Sequence, residues 1–363
     1  MKKLVGIALI ALLLVSFLLT GCRPPEVEGV VVDIQHGMYD KALEGAQKAV
    51  ELYPDNAEAW YYLGFLYGRK GEFKKMNEAF DKALALNPDQ KVKYDNVDVP
   101  LKKAVEQIRL NYFVQNHNSG IQDFNKANQT DDPEQRKQYL ASAAKKFTAA
   151  HEAYPTRVEP LQPLALTYLQ LGDTATAEKY FLETLQTNPN NDTLLSMVGE
   201  FYMMAGKLDK AQEMYDRALE INPQNVNALL AMAQLMTTKD DWEKAVTYFE
   251  KALELEPDNA DISFNIGLSY YRLEKYQEAI PYLMRTLEKE PDNEKVYEVI
   301  GVCYIQGKMY EEALPFLKKA VEKFPNNHYL WNYIAIAYAN LGNDEEAQKA
   351  YEKAKALESA QLQ

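Results

Sequence analysis

The chain is poor in the residues that do chemistry. Its 363 residues include two cysteines, Cys22 and Cys303, and four histidines, His36, His117, His151 and His328. Two cysteines cannot make a disulfide framework, and the histidines lack metal-ligand spacing, so no metal site is expected. No serine, cysteine or carboxylate constellation suggests catalysis, and the chain reads as a non-enzyme without a cofactor. The segment Gly301 to Gly307-Lys308 has five residues between its glycines and Met309 where a phosphate loop needs Ser or Thr. Basic charge is also short: 40 Lys and Arg stand against 53 Asp and Glu, a net charge of −13, so nucleic acid is not an expected partner. No stretch reads as alternating strands, and low-complexity sequence is absent.

What is present is a period. Pro189, Pro223, Pro257, Pro291 and Pro325 are each 34 residues apart, as are Pro54 and Pro88. With each unit starting 31 residues before its proline, position 8 is small (Gly64, Ala165, Gly199, Ala233, Gly267, Gly301, Ala335). Position 20 is alanine in most copies (Ala42, Ala177, Ala211, Ala245, Ala279, Ala313, Ala347). Large apolar residues recur at positions 4, 7 and 11, as in Trp60, Leu63 and Tyr67, which is amphipathic-helix spacing. Each unit therefore reads as two helices. The first stops near a position-15 glycine (Gly71, Gly172, Gly206, Gly342), and the second ends at the proline. Asp-Asn or Asn-Asn pairs after the proline can cap the next helix.

This pattern resembles the tetratricopeptide repeat (TPR), most fully in unit 57–90 with Trp60, Leu63, Gly64, Tyr67, Phe80, Ala83 and Pro88; Met76 replaces the usual alanine. The resemblance implies an all-α fold, a right-handed α-solenoid of helix-turn-helix repeats, that works by binding proteins. In that family positions 2, 5, 9 and 12 of the first helices line the binding groove. Here they include Tyr61, Phe65, Leu166, Leu169, Met203, Leu230, Phe264, Leu268, Tyr271, Val302, Ile305 and Ile336, with Glu200, Gln234 and Asn332 among the polar ones. The lining is apolar and aromatic, which suits an apolar peptide or helix. No unit has the Lys at 5 and Asn at 9 of the carboxylate-clamp TPRs. Cys303, at position 10 of its unit, reads as a small buried hydrophobe rather than a reactive thiol.

The beginning carries a second pattern. Lys2 and Lys3 precede an apolar run from Leu4 to Leu19, too short for the roughly 20 residues of a spanning helix and ordered like an export signal. Leu19-Thr20-Gly21-Cys22 resembles the bacterial lipobox. That resemblance implies a signal peptide, residues 1–21, cleaved before Cys22, which would carry covalent diacylglycerol and further acyl. The alternative is a retained membrane helix with an incidental cysteine. The expected location is outside the cytoplasm on a lipid anchor; Arg23 in place of aspartate favours the outer membrane facing the periplasm where there are two membranes. With one membrane, the expectation is its outer face.

Residues 22–26 then form the lipidated cysteine and a short linker, 27–90 two TPR units with a degenerate first helix, 158–361 six TPR units, and 362–363 a tail. Between them the ruler breaks: Pro88 to Pro155 is 67 residues, and segment 91–157 is net basic. It reads as one enlarged hairpin, with helices over Leu101 to Ala127 and Glu134 to Ala153, or as two divergent repeats. Lys102, Lys103, Arg109, Arg136, Lys137, Lys145 and Lys146 make it a candidate docking element for an acidic partner or anionic lipid. Two functions remain open: a lipid-anchored adaptor for envelope machinery, and a carrier of exported client segments. An enzyme is the distant alternative. The last helix either caps the array with its polar face or stacks on another copy.

Overall fold

The computed structural model describes residues 23–361. Cys22 and the leader 1–21 lie outside the described residues, as does the tail 362–363. The chain divides into two compact units, Met1–Thr187 and Asn188–Gln363. The first unit contains α1 (Pro25–Gln35), α2 (Tyr39–Leu52), α3 (Ala57–Arg69), α4 (Phe73–Leu86), β1 (Lys91–Tyr94), β2 (Val97–Pro100), α5 (Leu101–Gln129), α6 (Pro133–Ala153), α7 (Leu161–Gln170) and α8 (Thr174–Thr187). The second contains α9 (Asp192–Met204), α10 (Leu208–Ile221), α11 (Val226–Thr238), α12 (Trp242–Leu255), α13 (Ala260–Arg272), α14 (Tyr276–Lys289), α15 (Glu294–Gln306), α16 (Tyr310–Lys323), α17 (His328–Asn340) and α18 (Asp344–Gln361). Within each unit, helices pair and stack in chain order, which is the solenoid architecture expected of the repeats.

Local chemistry explains the bounds. Asn56, Asn191, Asn225, Asn259 and Asn327 each accept the backbone N–H of the third residue of the next helix at 2.9–3.1 Å, whereas Asn293 at the same place makes no such bond. The ruler prolines end the preceding helix and leave a carbonyl that the next repeat uses. The Trp60 indole donates to the Pro54 carbonyl at 2.8 Å and that of Trp331 to Pro325 at 2.9 Å. The small residue at position 8 lets paired helices touch: a Cβ at Gly64 would lie 2.5 Å from the Phe80 ring. At position 15 the chain turns through positive φ, with Gly206 at 70° and the non-glycine Glu274 at 57°.

Segment 91–157 corrects the expectation that the chain has no strands. Val92, Val97 and Val99 alternate with Lys and Asp over only four residues a side, too few to register as a period. Asp95 and Asn96, at φ 48° and 64°, make the two-residue turn whose twist suits a hairpin. The strands pair antiparallel, Val92 opposite Val99 and Tyr94 opposite Val97. Pro100 ends β2 and starts α5, whose first free N–H groups are taken by this same hairpin's approach: Leu101 donates to the Gln90 carbonyl at 2.8 Å and Lys102 to that of Pro88 at 2.9 Å. One long helical hairpin follows, α5 and α6, turning at Asp132, whose carboxylate caps α6 at Glu134 and Gln135.

Candidate partner-binding surfaces

The twelve residues expected to line a groove do not share one environment. In the first unit Tyr61 is 2% exposed, because the β-hairpin lies over it. Val92 is buried, and Val99 and Tyr94 are half-buried against the core that holds Tyr61, Phe80, Leu101 and Ile108. The Tyr61 hydroxyl donates to the Lys93 carbonyl at 3.1 Å, and burial drives its pKa upward. Tyr61 is thus a core residue, not a groove residue. Phe65, Leu166 and Leu169 are half-buried. In the second unit Ile305 is also buried, packed with Leu317, Leu330 and Ile334. The half-buried Phe264 and Tyr271 lean on the core around Leu283 and Val296, and Ile336 leans on that around Ile334. Leu268 and Val302 are half-buried as well.

Met203 and Leu230 are brought together. They face each other across an open groove of about 650 Å³ between α9 and α11, floored by Tyr215 of α10 and lined also by Thr193, Ser196, Met197, Glu200, Met204, Asn227, Ala231 and Gln234. Met204 is 70% exposed. Three methionines on one helix give a deformable apolar wall; the hydroxyls of Thr193 and the amides of Asn227 and Gln234 offer hydrogen bonds along it. Burial, and then the Glu200 carboxylate, push the Tyr215 phenol upward, so it stays neutral. The repeat positions identified Met203, Leu230, Glu200 and Gln234 in sequence. Met197, Met204 and Tyr215 were missed, although the cluster of methionines in 197–204 was the available signal.

The basic element is largely spoken for. Lys102 pairs with Asp89 at 2.8 Å and Lys146 with Asp123 at 2.6 Å. Arg136 donates to the Ala127 carbonyl at 3.0 Å. Arg109 donates to Asn77 at 2.6 Å and Asp81 at 2.7 Å. Arg109 and Lys146, half-buried, tie α5 to α4 and to α6, which corrects the reading of those two as docking charges; Lys102, Lys103, Arg136, Lys137 and Lys145 stay exposed. Among the described residues no three His, Cys, Asp or Glu side chains gather as metal ligands. Cys303 is buried, and burial pushes its thiol up to about 12.

Helix pairs on a 34-residue period around an open apolar groove define an interaction scaffold of helical repeats. The family model described as the middle TPR-like domain of cilia and flagella-associated protein 70 matches residues 161–358, more than half of the chain. Models for the TPR repeat and the tetratricopeptide repeat match residues 32–71 and 57–90. The chain belongs to the tetratricopeptide-repeat family. A human relative, protein O-mannosyl-transferase TMTC1, is 32% identical over 77 residues, which is 21% of this chain and 9% of that protein. Among solved structures, YrrB, described as a TPR protein with an unusual peptide-binding site, is 24% identical with a TM-score of 0.44, over 49% of this chain and 91% of YrrB. A TPR protein from Parabacteroides merdae is 19% identical with a TM-score of 0.43, over 66% of this chain and 93% of that one.

Proposed function

We propose that the protein is an exported lipoprotein, held to a membrane by diacylglycerol on Cys22, and that it serves envelope machinery as an adaptor by holding an apolar segment of a partner protein in the groove between α9 and α11. The observation that carries the binding half is the contrast between two equivalent positions: Tyr61 is sealed by the chain's own β-hairpin, whereas Leu230, at the same place in its repeat, lines an open groove with Met203 and Met204. Protein binding is what TPR scaffolds do. The apolar lining is what selects the kind of segment.

The anchoring half rests on the lipobox, with the outer membrane facing the periplasm as the expected location in a two-membrane cell. The folded chain supports it in one respect. Arg23, next to Cys22, already grips the fold, donating to Glu58 at 2.7 Å and Glu28 at 2.7 Å. An anchor on Cys22 would therefore hold the first repeat close to the lipid. Cys22→Ser tests it by fractionation: the folded protein should leave the membrane, and retention after a high-salt wash would sink the lipoprotein reading. The carrier reading gains from the methionine wall, which adapts to varied side chains. Affinity capture decides between the two, since an adaptor brings down one stoichiometric partner and a carrier a spread of clients.

A further inference from the structure

We infer that the α9–α11 groove selects a partner segment carrying a lysine or arginine among its apolar side chains, with the cation paired to Glu200. The inference rests on the groove reading above and adds the chemistry of the occupant.

Glu200 projects from α9 between Met197 and Met203, exposed to solvent and without a hydrogen bond or ion pair. Three other carboxylates on the first helices of this unit are satisfied internally, and Asp261, exposed on α13, does not line the groove. Asp192 accepts from Asn222 and Asn225, both at 2.8 Å. Glu298 accepts from Lys295 at 2.9 Å and Asn327 at 2.8 Å, and Glu294 from Asn327 at 2.7 Å. No lysine, arginine or histidine lines the groove. While the groove is empty, water solvates Glu200 at no cost. An apolar segment laid over Met203, Met204 and Leu230 would exclude that water and leave a carboxylate buried without a counter-charge, which is strongly unfavourable. A segment that brings its own cation removes the penalty, and one that brings a carboxylate adds like-charge repulsion. The unit around the groove, residues 188–363, is net acidic and attracts the same kind of segment from a distance. The groove is thus permissive about apolar shape and selective about charge.

The test uses the full chain in detergent and two labelled peptides with the same apolar residues, one carrying lysines and the other glutamates at the intervening positions, read by fluorescence anisotropy. The lysine peptide should bind about tenfold or more tighter, and Glu200→Lys should reverse the order. Glu254→Lys, on the exposed face of α12 and outside the groove, makes the same change in net charge and should leave the order intact. Met204→Ser, which removes apolar surface without adding charge, should weaken both peptides. Equal affinities, or a reversal by Glu254→Lys as well, would overturn the charge inference; if Met204→Ser still weakens binding, the groove reading survives that failure. Binding indifferent to Met204→Ser removes the groove itself. Failure of both peptides to bind, or a dimer in sedimentation that the lysine peptide dissolves, would likewise overturn the assignment, the latter giving the groove to a second copy.

Discussion

The Tyr61 hydroxyl donates to the Lys93 carbonyl at 3.1 Å, 32 residues along the chain, and that contact closes the groove position of the best-matching repeat. The β-hairpin covers Tyr61, and the open apolar groove proposed for a partner is the one in the second unit.

Loosening the hairpin should reopen the first unit. Tyr61→Phe keeps the packing and removes one hydrogen bond, a loss of about 1 kcal/mol. Val92→Asp, at a position 1% exposed, should detach the strands, seen as rapid proteolysis near Asp95 with the helices intact. Protection equal to the parent chain would show that the hairpin does not depend on this contact.

Arg109 and Lys103 should behave oppositely although both belong to the basic segment. Arg109 ties Asn77 and Asp81 of α4 to α5, while Asn77 donates to the Glu152 carbonyl of α6 at 2.6 Å. Arg109→Ala should cost roughly 2 kcal/mol, in the range of hydrogen bonds to charged groups. Lys103→Ala, exposed and unpaired, should stay within about 0.5 kcal/mol. Urea melts of the two variants check this, and equal stabilities would contradict it.

Legibility follows sequence distance. The asparagine caps, the position-15 glycines and the position-8 contact of Gly64 with Phe80 act within one repeat, so their spacing announces them. The partners of Arg109 lie a repeat away, at Asn77 and Asp81, and no local pattern marks them. The seal on Tyr61 depends on two strands of four residues each, shorter than any reliable alternation. The groove was legible in its repeat positions, Met203 and Leu230, but the closing of Tyr61 was decided by the hairpin, not by the repeat.

Acid should weaken the α5–α6 hairpin through His117. Its ring lies parallel to Phe113 with centroids 5.5 Å apart and tilts against Phe147, and its buried Nδ1 has no hydrogen-bond partner. Burial lowers its pKa, with Glu159 opposing weakly and Arg157 stacked beyond Phe113. The folded value lies below the unfolded one of about 6.5, so this contribution is whole above that pH and is lost as pH falls through the folded value. His117→Phe should flatten the difference between urea melts at neutral and mildly acidic pH; an unchanged difference would assign the acid response to other groups.

The central claim is that a partner segment lies in the groove between α9 and α11. A photocrosslinking residue at position 230, in the full chain expressed in cells, should give one discrete adduct whose partner peptide is found by mass spectrometry, and the same residue at position 254 should give none. Adducts from 254 equal to those from 230, or none from 230 in cells that contain the partner, would contradict it.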